Sequence, residues 1–369
     1  MEEALALAKK ADGETWPNPM VGAVLVRGGN TVGRGYHKGP GQAHAEVAAI
    51  LDAGDEAEGS TCFVNLEPCN HTGRTPPCSE AIIKAGIKKV IYGMTDPNPR
   101  VSGRGIRRLQ DAGVEVEGPL LESAAQSLNA PFVIAQKEKR AAVSLKLALT
   151  QDGMLADARG YSGWITGEKA RRKVHQLRAK HQAVMVGSGT FRADKPRLTA
   201  RDRGNVGREH LTRIIVGSRV PDIEGHPILD DIDKNPVFFM VSTKEAQSDS
   251  ARRAEDFGAE IFGVEPDESG GLNIGHVLEE LCRKEIFALF CEGGAKIAAS
   301  LLQENLVDRL HIFRAPIFLG SPGGIPGVAG LGIKSLEHAL RFRRIAIFDH
   351  DEDLEEILVP PHSLWTQKS

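Results

Sequence analysis

The chain has 369 residues, enough for two domains that each bury a core of their own. Its hydrophobic share of 41% and charged share of 26% are ordinary for a globular protein, and no apolar run is long enough to span a bilayer. A net charge of −3 implies no general attraction to nucleic acid, which argues against an editing enzyme for tRNA or DNA. The N-terminus, MEEALALAKKADGE, is acidic and then amphipathic, unlike a secretory signal. Five scattered cysteines make no disulfide framework and suit a reduced, cytoplasmic setting.

Residues 2–11, with Leu5 and Leu7 among alanines and lysines, predict a helix. Pro17 and Pro19 bar helix and regular strand over TWPNPMVG, so a rigid loop is expected there, presenting the Asn18 amide. VGAVLVR (21–27), a GGN turn and TVGRGYH (31–37) predict a β-hairpin. AHAEVAAILDAG (43–54) predicts a helix that ends at Gly54, with His44 and Glu46 in its first turn. STCFVNL (60–66) is expected as a buried parallel strand, with Cys69 just past its end, where open α/β sheets place ligands. Cys78 opens a helix over 79–87, where a thiolate is stabilised. A strand at 88–94, a basic helix and a short strand up to residue 116 complete an α/β pattern with helices on both faces of a sheet.

His44, Cys69 and Cys78 are one imidazole and two thiolates, a set that holds zinc tetrahedrally with one position open. Zinc lowers the pKa of a bound water to about 7. Glu46 is not needed as a ligand and is free to carry protons, which is the kit of the zinc deaminases. His71 could instead complete a closed, structural site of four ligands. The eight residues between the two cysteines also place His71, Arg74 and Thr75 over the metal, donors suited to a substrate bearing phosphate.

TWPNPMVG, AHAEV, LEPCNHTGRTPPC and DPNPRVSGRG together resemble the deaminase half of the bifunctional riboflavin-biosynthesis deaminase–reductases, over nearly all of residues 1–130. The resemblance implies a cytidine-deaminase-like three-layer α/β/α domain. It also implies hydrolytic removal of an exocyclic amine from a diamino-pyrimidinone that carries a phosphoribosylamino group. In that reaction Glu46 would take a proton from the zinc-activated water and hand it to the ring and to the leaving ammonia, while Asn18, His71 and Arg74 would bind substrate.

Residues 127–141 are expected as a junction, interrupted by Pro131 and closed by the solvated run QKEKR, so the domains are placed at 1–140 and 141–369. The second half opens with a strand at 142–150 and continues as a long loop at 151–166. A helix at 167–181 turns Val174 and Leu177 inward. Strands are expected at 181–187, in TRIIVGS, PVFFMVS, EIFGVEP and EIFALFCEGG, and a helix at 295–306. Three last strands lie in 307–320, 343–349 and 354–360. EGGAK sits between strand and helix, where backbone N–H groups can hold a phosphate, but a full GxGxxG is absent.

SLKLALTQDGMLA, YSGWITGEKAR, VGSGTFRADKPRLTAR and FCEGGAKIAASLL resemble the reductase half of the same family. That implies a dihydrofolate-reductase-like α/β domain that uses NADPH to convert a ribosyl side chain to ribityl. Carried over by motif, Leu149, Trp164, Thr190, Asp194, Ser218 and the segment Gly294, Ala295, Lys296 to Ser300 would contact NADPH. Lys146, Ser162, Arg178, Leu198, Arg201 and Glu292 would contact the phosphorylated substrate, with Asp152 shaping the pocket. Gly217 stands where the family more often has an acidic residue. One Zn2+ per chain, a small-molecule substrate, no nucleic acid or membrane partner, and a homodimer or higher homo-oligomer through the reductase domain are expected. The rival expectations are a second domain that only binds substrate or cofactor, and a zinc-binding protein without activity.

Overall fold

The computed structural model describes the chain apart from residues 72–75, 100, 161, 162, 164, 202, 203, 205, 206, 268–270, 321, 322 and 366–369. It divides into two compact units. The first runs from Met1 to Glu138 and takes in Leu364 and Trp365; the second runs from Lys139 to Ser363. The tail joins the first unit because Leu364 packs on the apolar cluster of Leu66, Met94, Ala125 and Val133.

The first unit follows the order α1 (Glu2–Ala8), β1 (Gly22–Arg27), β2 (Asn30–Tyr36), α2 (Ala45–Ala53), β3 (Thr61–Val64), α3 (Cys78–Lys84), β4 (Lys89–Tyr92), α4 (Arg104–Asp111), β5 (Glu115–Glu117), α5 (Glu122–Leu128) and α6 (Ala130–Glu138). Among the described residues its sheet has the strand order β2-β1-β3-β4-β5. Gly28 and Gly29 both adopt positive φ, 58° and 83°, as a tight two-residue hairpin turn requires. The strand expected to be parallel, β3, is parallel to β4 but antiparallel to β1, because β1 arrives from a hairpin rather than a crossover. Alternation along β1 sends Ala23 and Leu25 to the face of α2, α3 and α4, and Val24 to the face of α1, giving three layers.

α2 lies unusually close to the sheet. A Cβ on Gly35 would stand 2.3 Å from the Ala45 carbonyl oxygen, and one on Gly33 would stand 2.3 Å from that of Ala49. The buried side of the helix is correspondingly small, with Ala45, Ala49 and Ala53. This close approach sets where the first turn of α2, with His44 and Glu46, is held.

Within the expected junction at 127–141, the stretch around Pro131 is helical, while the charged run lies at the boundary between the two units. Ala130 to Ala135 of α6 are all buried, and only residues 137–139 are exposed. Pro131 is tolerated there because it falls in the first turn, where no N–H partner is lost.

The second unit runs β6 (Ala142–Thr150), β7 (Met154–Asp157), α7 (Glu168–Lys180), β8 (Ala183–Gly187), α8 (Ser188–Asp194), β9 (Thr212–Val216), β10 (Val237–Ser242), α9 (Asp249–Asp256), β11 (Glu260–Val264), α10 (Ile274–Arg283), β12 (Ala288–Cys291), α11 (Ala295–Gln303), β13 (Arg309–Ala315), β14 (Gly324–Pro326), β15 (Arg343–His350) and β16 (Asp353–Val359). Its main sheet has the order β11-β10-β9-β8-β12-β6-β13-β16-β15, parallel from β11 to β13 and closed by the antiparallel β15–β16 hairpin. The loop expected at 151–166 contains β7, which pairs with β14 in a small separate ribbon. Helices cover both faces: α10 and α11 over Val143, Leu145 and Leu147, and α7, α8 and α9 over Phe290, Phe313 and Phe239. Each such buried phenylalanine contributes roughly 2–3 kcal/mol of hydrophobic stabilisation.

Candidate active sites

The ends of three elements converge in the first unit. His44 is the N-cap of α2, Cys69 follows β3, and Cys78 opens α3. Their ligand atoms all lie within 4.8 Å of one another. His44 Nδ1 is 3.1 Å from Cys78 Sγ and 3.6 Å from Cys69 Sγ, close to the edge of a small tetrahedron around a zinc ion. The donor set and the spacing both fit such an ion. His71 is exposed and stays outside this cluster, so the four-ligand arrangement is not assembled among the described residues. Arg74 and Thr75 lie outside the described residues.

The charges here are tuned against one another. Cys69 is drawn down to about 4, first by the Cys78 thiol beside it and then by the His44 ring, while the Cys78 thiol is pushed up by the same contact. The Cys78 backbone N–H also donates to Cys69 Sγ at 3.4 Å. Glu46 is only 4% exposed, and burial pushes its carboxyl up to about 7. It shares a hydrogen bond with Cys78, which places the carboxyl at the metal site itself.

Further residues, among them Glu67, Asp96 and His37 that the sequence did not single out, surround this centre. The buried Glu67 carboxylate accepts backbone N–H groups from Asp96 (3.2 Å), Gly103 (3.0 Å), Gly105 (3.1 Å) and Ile106 (3.4 Å). It thereby ties the start of α4 to the segment that carries Cys69, and the helix N-terminus offsets its charge. Asp96 is 8% exposed, burial raises its carboxyl to about 6, and the charges of Glu67, His71 and Cys69 act on it. Asn18 is hydrogen-bonded through Nδ2 to His37 Nε2 at 3.0 Å. Burial lowers the pKa of His37, whose ring stands edge-on to His44. Glu67 carries no signal in a single sequence, since Glu-Pro-Cys reads only as a turn.

In the second unit the expected residues gather at the carboxyl edge of the sheet, where α/β folds bind ligands. Lys146 and Leu149 come from β6, Thr190 and Asp194 from α8 after β8, Ser218 from the turn after β9, and Glu292 and Gly294 to Ser300 from the stretch after β12. The Arg178 guanidinium of α7 grips Glu292 at two points, Nε on Oε1 and Nη2 on Oε2 (2.9 Å). Burial lowers the Lys146 ammonium pKa, against the pull of Glu292. Glu292 is held below the usual carboxylate range by Arg178 in spite of its burial, which opposes ionisation.

The Thr199 carbonyl accepts from both Arg178 Nη1 (2.8 Å) and His175 Nδ1 (3.1 Å), tying the loop of Leu198 and Arg201 to α7. Leu198 is buried with φ 53°, a left-handed conformation that costs a branched side chain about 1–2 kcal/mol. His175, missed in the sequence, is lowered to about 4 by burial and by Arg178 and Arg201. Asp152 accepts N–H groups from Leu319 and Gly320 and a hydroxyl from Thr150, so it anchors the segment that follows β13 to the end of β6.

Gly293 and Gly294 adopt φ of 74° and 106° before α11, and a Cβ on Gly294 would meet Thr190 Oγ1 at 3.0 Å. This cradle leaves backbone N–H groups accessible at the helix start and fits a phosphate of a dinucleotide. The Ser300 hydroxyl donates to the Lys296 carbonyl at 3.2 Å. Ser218 is exposed beside Gly217, whose missing side chain makes room for Ser188. Ser162 and Trp164 lie outside the described residues.

Residues 1–94 match the cytidine and deoxycytidylate deaminase zinc-binding region, and residues 141–354 match the RibD C-terminal domain. The riboflavin biosynthesis protein RibD of Synechocystis is 41% identical over 92% of this chain and 90% of its own length. That of Aquifex aeolicus is 39% identical over 96% of both. The solved structure of Acinetobacter baumannii RibD, form 1, has a TM-score of 0.88 at 34% identity and covers 98% of both chains. A Thermotoga maritima diaminohydroxyphosphoribosylaminopyrimidine deaminase/5-amino-6-(5-phosphoribosylamino)uracil reductase gives 0.82 at 33% identity, covering 98% of this chain and 97% of its own. With a deaminase-type metal cluster in one unit and a glycine cradle beside a buried Arg–Glu pair in the other, the chain belongs to the RibD family, the bifunctional deaminase–reductases of riboflavin biosynthesis.

Proposed function

We propose that His44, Cys69 and Cys78 hold one Zn2+ and that Glu46 moves the protons of a deamination. The observation that carries this is the buried Glu46 carboxyl, 4% exposed, beside three residues whose ligand atoms lie within 4.8 Å of one another. Zinc, when bound, supplies a ligated water acidic enough to ionise near neutral pH. Glu46 is poised to give or take a proton at that pH, which suits delivery to the pyrimidine ring nitrogen and then to the departing amine. Asn18, His71 and Arg74 bind the diamino-pyrimidinone and its phosphoribosyl group.

In the second unit Lys146, Ser162, Arg178, Leu198, Arg201 and Glu292 bind the deaminated substrate. Leu149, Trp164, Thr190, Asp194, Ser218 and Gly294 to Ser300 bind NADPH, which supplies the hydride for the ribosyl-to-ribityl reduction. Arg178 fixes the orientation of Glu292, and Gly294 gives a phosphate access to the start of α11. Exposed apolar residues in this unit, Phe318 (74%), Leu336 (87%) and Ile347 (47%), support a homodimer formed through the reductase domain. No helix among the described residues is long and apolar enough to cross a membrane.

The test is mass measurement on the phosphoribosylaminopyrimidine substrate. A gain of about one mass unit is expected without NADPH, and a further gain of about two with it. Glu46→Gln with zinc retained is expected to lose ammonia release by ~100- to 10,000-fold. Undiminished release would remove Glu46 from its role. Absence of the second mass shift would leave the second unit as a binding module.

A further inference from the structure

An amide can offer a ligand either its oxygen or its nitrogen, and His37 decides which one Asn18 offers. His37 Nδ1 lies 3.2 Å from the Ala43 carbonyl oxygen, an atom that only accepts, so Nδ1 carries the ring proton. In the neutral ring Nε2 is then a bare lone pair. It stands 3.0 Å from Asn18 Nδ2, so the amide donates to it and Oδ1 is turned away from the ring. Reversing the amide would set Oδ1 against the Nε2 lone pair. No described residue donates to that oxygen. The same imidazole is edge-on to the ring of the metal ligand His44, with centroids 5.5 Å apart at 75°. The ring that orients the amide therefore also packs on a residue of the His–Cys cluster.

We propose that His37 is a positioning residue of the deamination site: it locks the Asn18 amide with its oxygen presented to substrate, so that this position takes a hydrogen-bond donor and rejects an acceptor. The inference rests on the assignment of Asn18 to substrate binding, and it adds the polarity of that contact and the residue that sets it. His37 acts wholly through Asn18 in this account and touches no reacting atom.

Full-length Asn18→Ala, His37→Asn, His37→Gln and the double variant His37→Asn/Asn18→Ala test it, with ammonia release and zinc content measured on each. Asn18→Ala is expected to raise KM roughly tenfold with little change in kcat, the effect of one lost hydrogen bond. The His37→Asn amide can replace the Nδ1 donor but not the Nε2 acceptor, so it is expected to raise KM by a similar factor. His37→Gln can restore an acceptor at the Nε2 position and is expected to recover most of the loss. In the Asn18→Ala background, His37→Asn should change KM by less than about twofold, since no amide remains to be oriented. An unchanged KM in Asn18→Ala would remove Asn18 from the binding reading itself. With Asn18→Ala impaired, an equal cost of His37→Asn in both backgrounds would overturn the positioning role alone. So would loss of zinc in both His37 variants, which would make the ring a support of the metal site.

Discussion

Arg178 and Glu292 face each other with the guanidinium fork on both carboxylate oxygens, 114 residues apart in the chain. Both side chains are almost wholly buried, at 12% and 11% exposure. In a buried pair the attraction is largely offset by desolvation, but removing one partner strands the other. Arg178→Ala should therefore destabilise the reductase unit by ~3 kcal/mol, seen as a fall in its urea midpoint. Arg178→Lys keeps the charge but loses the two-point grip and the bond to the Thr199 carbonyl. It should raise KM in NADPH-dependent reduction about tenfold or more and leave ammonia release unaltered. Equal losses in the two activities would contradict this separation.

Gly105 tests how α4 supports the metal site. A Cβ there would stand 1.8 Å from the Pro68 carbonyl oxygen, one residue before Cys69, so backbone must shift to admit it. Gly105→Ala is expected to lose zinc and deamination together while NADPH oxidation persists. Gly103→Ala is the control. Its Cβ meets nothing, although φ of 73° costs about 1 kcal/mol for alanine. Zinc retained at full occupancy in Gly105→Ala would show that the Pro68–Cys69 segment yields without consequence.

The convergence of His44, Cys69 and Cys78 was legible because rare residue types stand at helix and strand ends. His44, Cys69 and Cys78 announce themselves, and the alternation of β1 places the sheet face beside them. Glu67 was not legible: its carboxylate accepts four backbone N–H groups from a loop and a helix start distant in sequence, and nothing local marks it. The same holds for α9 and α10, which occupy the stretch 202–285 where no motif stood out, although Asn273 caps α10 by accepting from the His276 N–H at 3.1 Å. The buried α6 was misread for a related reason. A proline and a charged run signal a linker locally, while the packing of Phe132, Val133 and Ile134 is a tertiary fact.

Gly217 has no room for a side chain because Ser188 stands against it. A Cβ on Gly217 would lie 2.5 Å from Ser188 Oγ and 2.6 Å from its Cβ. Gly217→Asp alone should therefore disturb the start of α8 and raise KM for NADPH severalfold. The double variant Gly217→Asp/Ser188→Gly removes the obstacle and should recover the original KM. Additive losses in the double variant, measured by NADPH oxidation, would mean the two positions do not compete for space.

His175 makes a pH prediction whose sign follows from its surroundings. Burial and the charges of Arg178 and Arg201 lower its folded pKa to about 4, against 6.5 as the ordinary value. Between those values the unfolded chain binds a proton that the folded unit refuses, so stability falls as pH drops from 6.5 toward 4 and is fully present above 6.5. The ring is partly exposed, so the screened contribution is on the order of 1 kcal/mol. His175→Asn can keep the hydrogen bond to the Thr199 carbonyl without titrating. Its urea midpoint should match the parent's at about pH 7.5 and exceed it at about pH 5, because other acid-sensitive groups are common to both proteins. A constant difference across that range would mean the His175 ring is protonated in the folded unit as readily as in the unfolded chain.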